Sequence, residues 1–184
     1  ASLIRMGLGY PKFIGDRKAL RMLSKAYPDL TIEDYREYAI TGCSEIGLPH
    51  ICMNHGYEAI VIAPKILELV LNQGKCAICR RQIGPPVGIP DTFETIEEFK
   101  LAFRRQLFYW VEYAGKAIKV FKENQSFWFP APFCSALTEG PLERGKDMTQ
   151  GGTWHTIYGM LLAGLADTAD SIAVIDKLIY RDKV

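Results

Sequence analysis

No excess of charge of either sign marks this chain: 22 Lys and Arg stand against 21 Asp and Glu, a formal net charge of +1 over 184 residues. Such a balance creates no long-range field to draw nucleic acid or an anionic membrane, so neither is expected as a partner. Also missing is any apolar run near the roughly 20 residues that span a bilayer. The opening residues, Ala1 to Arg5, lack the basic, apolar and small-residue zones of a signal peptide, and a cytoplasmic location is expected. The five cysteines, at 43, 52, 76, 79 and 134, have neither the even count nor the dense spacing of a secreted disulfide scaffold, so reduced thiols are expected. Cys76 and Cys79 have redox or zinc spacing, but no second pair stands near them, so no metal is expected and both read as buried thiols near a helix end. Gly7 and Gly9 lack the preceding strand and third glycine of a dinucleotide fingerprint. There is no internal repeat, no low-complexity tract and no initiator Met, and both ends are expected to be cut from something longer.

What is present is apolar enough, at 48 % hydrophobic residues, to build a substantial core. Asp16 is placed to cap a helix carrying Leu20, Met22, Leu23 and Ala26. Thr31 and Asp34 form a capping-box pattern for a short helix bearing Tyr35 and Tyr38. Residues 51–56 read as irregular, and residues 59–63 as a compact apolar run. Pro64 suits the first turn of a helix that buries Ile66, Leu67, Val70 and Leu71 and stops at Gly74. An extended connector over residues 84–90 leads to a second box, Thr95 and Glu98. That box opens the longest element, residues 96–122, whose stripe Ile96, Phe99, Phe103, Leu107, Trp110, Ala114 and Ile118 keeps helical spacing. Residues 124–153 read as a long linking region, with Glu139, Glu143, Arg144, Lys146 and Asp147 as an internal salt-bridge frame. Two helical patterns close the chain. The first covers residues 158–165; the second covers 168–180, is capped by Asp167 or Thr168, and buries Ile172, Ile175, Leu178 and Ile179.

The stretch richest in chemistry is residues 39–50, where a thiol, Cys43, stands two residues from a carboxylate, Glu45. In extended backbone, residues i and i+2 point to one side, so sulfur and carboxylate can face the same ligand. Gly42 lets the backbone turn, and the segment as a whole reads as an irregular loop. Taken alone, the string fits a buried, inert cysteine at least as well as a reactive one.

Three blocks decide between these. They are residues 42–45 (Gly-Cys-Ser-Glu), residues 132–147 with their Glu-Arg-Gly-Lys-Asp core followed by Gly151 and Gly152, and residues 164–178. Their order and spacing resemble the glycyl radical enzymes related to pyruvate formate-lyase. The resemblance implies an α/β fold, part of a ten-stranded α/β barrel of the glycyl radical type. Residues 1–184 would then be a helix-rich partial barrel domain lacking the N-terminal half and the C-terminal radical segment. It implies that Cys43 becomes a thiyl radical and that Glu45 is an acid/base. The histidine and further glutamate that the hydroxyphenylacetate enzymes use have no clear counterpart here; His50 and His55, near the loop, are candidate substrate contacts, with structural hydrogen bonding as the commoner role of loop histidines. No cofactor is implied on this piece itself. The radical would be stored on a glycine of the parent chain, installed by an S-adenosylmethionine iron–sulfur activating enzyme, and no Arg-Val-x-Gly-Tyr-like segment occurs here, so the piece alone is expected to be inactive.

Within the family, Gly42 rather than a second cysteine argues against acyl transfer. Ser44 and the run Ile46 to His50 look more like the 4-hydroxyphenylacetate decarboxylase branch than like the dehydratases. The implied reaction is decarboxylation of an arylacetate, for example 4-hydroxyphenylacetate to p-cresol. The alternatives are a dehydratase or C–N lyase acting on a diol, hydroxyproline or choline, and a non-catalytic homologue. A homo-oligomer, with a small iron–sulfur subunit in some relatives, is implied as the assembly. His155, beside Trp154, is expected to support the barrel.

Overall fold

The computed structural model describes residues 13–42, 45–54 and 56–183, so Cys43, Ser44 and His55 lie outside the described residues. The chain folds as two compact units, one holding the described residues up to Gly56 together with Lys122–Gly159, the other Tyr57–Phe121 with the described part of Met160–Val184.

In the first unit, helix α1 (Asp16–Ala26) starts on Gly15, not on Asp16. The Asp16 carboxylate instead accepts the Tyr38 hydroxyl at 2.5 Å, which ties the helix start to the end of the next element. Helix α2 (Ile32–Arg36) has the expected box: the Thr31 N–H donates to Asp34 Oδ2 at 2.8 Å, and the Asp34 N–H donates to Thr31 Oγ1 at 3.3 Å. Strands β1 (Ala39–Thr41) and β2 (Glu45–Gly47) then form an antiparallel hairpin with Thr41 opposite Glu45. Part of the stretch expected to be an irregular loop is therefore strand.

Residues 51–56, expected to be irregular, contain strand β3 (Cys52–Asn54). It pairs in parallel with β5 (His155–Ile157), Cys52 opposite His155. Leu23, Tyr27, Tyr35, Leu48, Ile51 and Cys52 form the core of this unit. The linking region also carries structure: short helices α5 (Pro132–Ala136) and α6 (Pro141–Arg144), then a 3₁₀ turn at Met148–Gln150.

Its charged residues hold backbone groups, where ion pairs were expected. Asp147 accepts the Ala131 N–H, the Ser135 hydroxyl and both donors of Thr149. Glu143 accepts the Gly140 N–H at 2.9 Å, and Arg144 donates to the Thr153 carbonyl at 2.8 Å. Their geometry makes the frame a set of caps.

In the second unit, strand β4 (Ala59–Ile62) runs directly into helix α3 (Ala63–Leu71), with Pro64 in its first turn. β4 pairs in parallel with β6 (Met160–Ala163), the stretch expected to be helical. An apolar run this short fits either period, and pairing with β4 decides it. Helix α4 (Ile96–Trp128) is longer than expected. Every member of its predicted stripe is buried or half-buried. At its start, Glu98 accepts the Glu94 N–H, one residue earlier than a regular box, while the Glu98 N–H donates to Thr95.

Helix α7 (Leu165–Ile175) is capped by Gly164 rather than by Asp167 or Thr168, and it widens into a π turn over Asp176–Arg181. Ile172 and Ile175 pack against the core of Leu67, Val70, Ile96, Phe99 and Ala102. Leu178 and Ile179 stay exposed, because the π turn rotates them off that face. No helix among the described residues is long and apolar enough to cross a membrane.

Candidate functional site

The hairpin places Glu45 first in β2, and its side chain runs over two glycines in left-handed conformation. Gly42 has φ +60°, and a Cβ built there would lie 2.7 Å from Glu45 Oε2. Gly56, at φ +72°, would bring a Cβ to 3.1 Å from Glu45 Cγ. Only glycine fits both demands, of conformation and of space. The carboxylate is thus seated on backbone at the two ends of the segment that carries β2 and β3.

Beside it lies a cavity of about 150 Å³ lined by Met22, Leu23, Ala26, Tyr27, Glu45, Ile46 and Gly56. Its walls are apolar apart from Glu45 and Tyr27. Tyr27 ends α1, where Pro28 stops the helix; its ring meets the His155 ring edge-on, centroids 5.2 Å apart. Burial, reinforced by its hydrogen bond to Cys52, pushes the Tyr27 hydroxyl well above the ordinary range of a phenol. Burial likewise raises the Cys52 thiol, against the opposing effect of that bond. Both groups therefore keep their protons, so the Tyr27 side of the cavity wall is neutral.

Of the residues expected to form a site, Cys43 and His55 lie outside the described residues. Glu45 lines the cavity. His50 is not among its lining residues. It sits in the turn after β2, where its carbonyl accepts the Glu139 N–H at 2.8 Å. Tyr27, Cys52 and Gly56 were not expected in the site. A turn glycine after Asn54 and His55 is the one sequence signal that points to Gly56. Tyr27 gives none, being a terminal helix residue whose role depends on β3 and β5. His155 opens β5, packs on Tyr27 and stands 3.7 Å from Asp29.

None of the other described thiols lines this cavity. Cys134 is exposed, Cys76 is buried, and Cys79, expected to be buried, is exposed. Among the described residues no group of three or more His, Cys, Asp or Glu side chains is gathered to hold a metal.

Comparison with known proteins gives the family of the chain. The family model described as pyruvate formate lyase-like matches residues 1–184. The chain is 32 % identical over 184 residues to trans-4-hydroxy-L-proline dehydratase of Clostridioides difficile, covering 97 % of this chain and 22 % of that protein. It is 31 % identical over 181 residues to (2S)-3-sulfopropanediol dehydratase of Klebsiella oxytoca, covering 98 % and 22 %. It is 26 % identical over 212 residues to the 4-hydroxyphenylacetate decarboxylase glycyl radical subunit of Clostridioides difficile, covering 100 % and 22 %. Among solved structures, one concerned with 1,2-propanediol dehydration in Roseburia inulinivorans superimposes with a TM-score of 0.87 at 26 % identity, covering 99 % of this chain and 22 % of that one. The chain thus spans about a fifth of the length of its relatives. Its structural neighbours are glycyl radical enzymes of the α/β-barrel type, and the chain itself is helix-rich with few strands, among them the parallel pairs β3–β5 and β4–β6. By the match along all its residues and by its relatives, the chain belongs to the pyruvate formate lyase-like family of glycyl radical enzymes.

Proposed function

We propose that this chain supplies the thiyl and carboxylate groups of a glycyl radical lyase, as part of a barrel domain completed by further chain. The observation that carries this is the Glu45 carboxylate, seated over Gly42 and Gly56 at the edge of a mostly apolar cavity, two positions from Cys43. In this reading a radical stored on a glycine of the parent protein, installed by an S-adenosylmethionine iron–sulfur activating enzyme, supplies the unpaired electron. Cys43 takes a hydrogen atom from a substrate carbon bearing a hydroxyl, and Glu45 takes that hydroxyl's proton. The neighbouring leaving group departs with its bonding pair and takes a proton from solvent, and Glu45 later releases its own proton to solvent, so no net proton is gained or lost. Cys43 then returns a hydrogen atom to the carbon that lost the group. Hydrogen-atom transfer requires Cys43 as the protonated thiol, since a thiolate has no hydrogen to give.

The relatives at 31 and 32 % identity are dehydratases, and this favours elimination from a small hydroxylated substrate. Decarboxylation of an arylacetate is the second reading, supported by Ser44, by the run Ile46 to His50, and by the 26 % identical decarboxylase subunit. In either case His50 and His55 would contact substrate. The assembly would be a cytoplasmic homo-oligomer, with a small iron–sulfur subunit accompanying it in the decarboxylase reading.

The test is activation of the full protein by a cognate activating enzyme, followed by assay on vicinal diols, hydroxyproline and 4-hydroxyphenylacetate. Aldehyde or imine formation from the first two supports elimination; CO₂ and p-cresol from the third would replace it with decarboxylation. Glu45→Gln is expected to lower turnover by about 10²- to 10⁴-fold, and Cys43→Ser to abolish it. Full activity in Cys43→Ser would overturn both readings.

A further inference from the structure

Away from Glu45, in the second unit, a tight turn follows α3 and carries Cys76 and Cys79. The turn is closed on both sides: the Cys76 N–H donates to the Arg81 carbonyl and the Arg80 N–H to the Cys76 carbonyl, each at 2.9 Å, while Lys75 bridges to Gln82. Arg80 takes the left-handed conformation at φ +59°, which lets the chain reverse. At its centre the Cys76 sulfur is a convergence point for donors. Lys65 Nζ, from the first turn of α3, lies 3.1 Å from it, and the Cys79 N–H donates to it at 3.5 Å. The Cys79 side chain also hydrogen-bonds to it.

Lys65 is itself held by Glu68 at 2.5 Å, and Glu68 accepts the Ala77 N–H at 2.8 Å. The ammonium is therefore fixed against the sulfur by the same carboxylate that fixes the turn. Cys79 is exposed, next to Ile78, which is 87 % exposed. One thiol thus faces solvent and the other sits behind it, in contact with it and with a cation.

We propose that Cys76 and Cys79 form a redox-modification site that reacts with low-molecular-weight disulfides and closes to an intramolecular disulfide. The exposed Cys79 sulfur attacks the small disulfide RSSR′, giving its proton up to the neighbouring Cys76 sulfur and then to solvent. A mixed disulfide forms and R′SH leaves. The Cys76 thiolate, paired with Lys65, then attacks the Cys79 sulfur and expels RS⁻, which takes a proton. Two thiols lose two electrons and two protons, and the small disulfide becomes two thiols. The donors around Cys76 favour its thiolate: the Cys79 N–H first, then Lys65 and the Ile78 N–H, bring it down to about 7 from the ordinary thiol range. A stable metal site would need further ligands, and the described residues gather no group of three. The site is independent of the chemistry proposed at Cys43 and Glu45.

The experiment is incubation of the purified full protein in glutathione buffers of increasing oxidation, acid quenching, alkylation and tryptic mass spectrometry. Cleavage after Lys75 and Arg80 isolates both cysteines in one five-residue peptide. The expected result is a peptide two hydrogen atoms lighter than the dithiol, restored by dithiothreitol. Cys76→Ser is expected to stop at a glutathione adduct on Cys79, and Lys65→Met to slow closure about tenfold. A peptide that stays fully alkylated in oxidised glutathione would overturn the proposal. So would an unaltered chain that halts at the mixed disulfide, or a stoichiometric metal ion that shields both thiols from alkylation.

Discussion

Glu45 owes its position to residues that have no side chains. Gly42 and Gly56 leave room for its carboxylate and stem, respectively, and each adopts a backbone angle that costs an L-residue about 1 kcal/mol. The two replacements should separate. In Gly42→Ala the new methyl meets Oε2, the free end of a flexible side chain, so the carboxylate swings aside at little further cost in stability. In Gly56→Ala it meets Cγ, which has less room to move. Both variants are expected to lose about 1–2 kcal/mol by denaturant titration. Turnover of the activated protein is expected to fall about tenfold or more in Gly42→Ala and much less in Gly56→Ala, because only the first moves the reacting group. Equal turnover in the two would count against a catalytic carboxylate. The turn at Gly42 was legible in the sequence. Gly56 was not, because nothing local shows that a glycine eleven residues on lies under the same side chain.

Elements with long periods were the readable ones. The stripe on α4 and the Thr31–Asp34 box express rules that act within a few residues of themselves, and the structure keeps both. Strands β3, β5 and β6 have three or four residues each, too few for alternation to differ from any other pattern, and their pairing is fixed by residues about a hundred positions away. The same holds for Asp147, which looked like half of an ion pair and is a cap for α5 and the following 3₁₀ turn. Burial alone would raise its carboxyl, but hydrogen bonds from Thr149, Ala131 and Ser135 outweigh that and hold it below its ordinary value. A carboxyl lowered on folding contributes stability that is present above its unfolded value near 4 and is lost as pH falls through the folded value. Asp147→Asn is expected to cost about 2 kcal/mol at pH 7. The difference between the two proteins should shrink as pH drops below about 4. Thermal melts at pH 7 and pH 3 check this; a constant gap would show that shape rather than charge is what Asp147 provides.

At the scale of the molecule, the informative feature is apolar sheet left uncovered. β4 and β6 form a two-stranded parallel pair in which Ile60 and Ile62 are 49 % and 47 % exposed, and Met160, Leu161 and Leu162 each about 40 %. Parallel sheet is almost always covered on both faces, and two strands alone rarely hold in water. The relatives are several times longer, and they supply a barrel in which such strands have neighbours. This yields a paired expectation for Ile60→Glu with Ile62→Glu. The 184-residue chain expressed alone should self-associate at micromolar concentration and bind a dye specific for exposed apolar surface, and the double substitution should make it more nearly monomeric. In the full-length protein the same pair should prevent folding, since it would bury two carboxylates without partners. Light scattering on the short chain and soluble yield of the long one read the two arms. A short chain that is monomeric and silent to the dye before substitution would mean that the β4–β6 face is satisfied within these residues, and the barrel would then have to be completed through other surfaces.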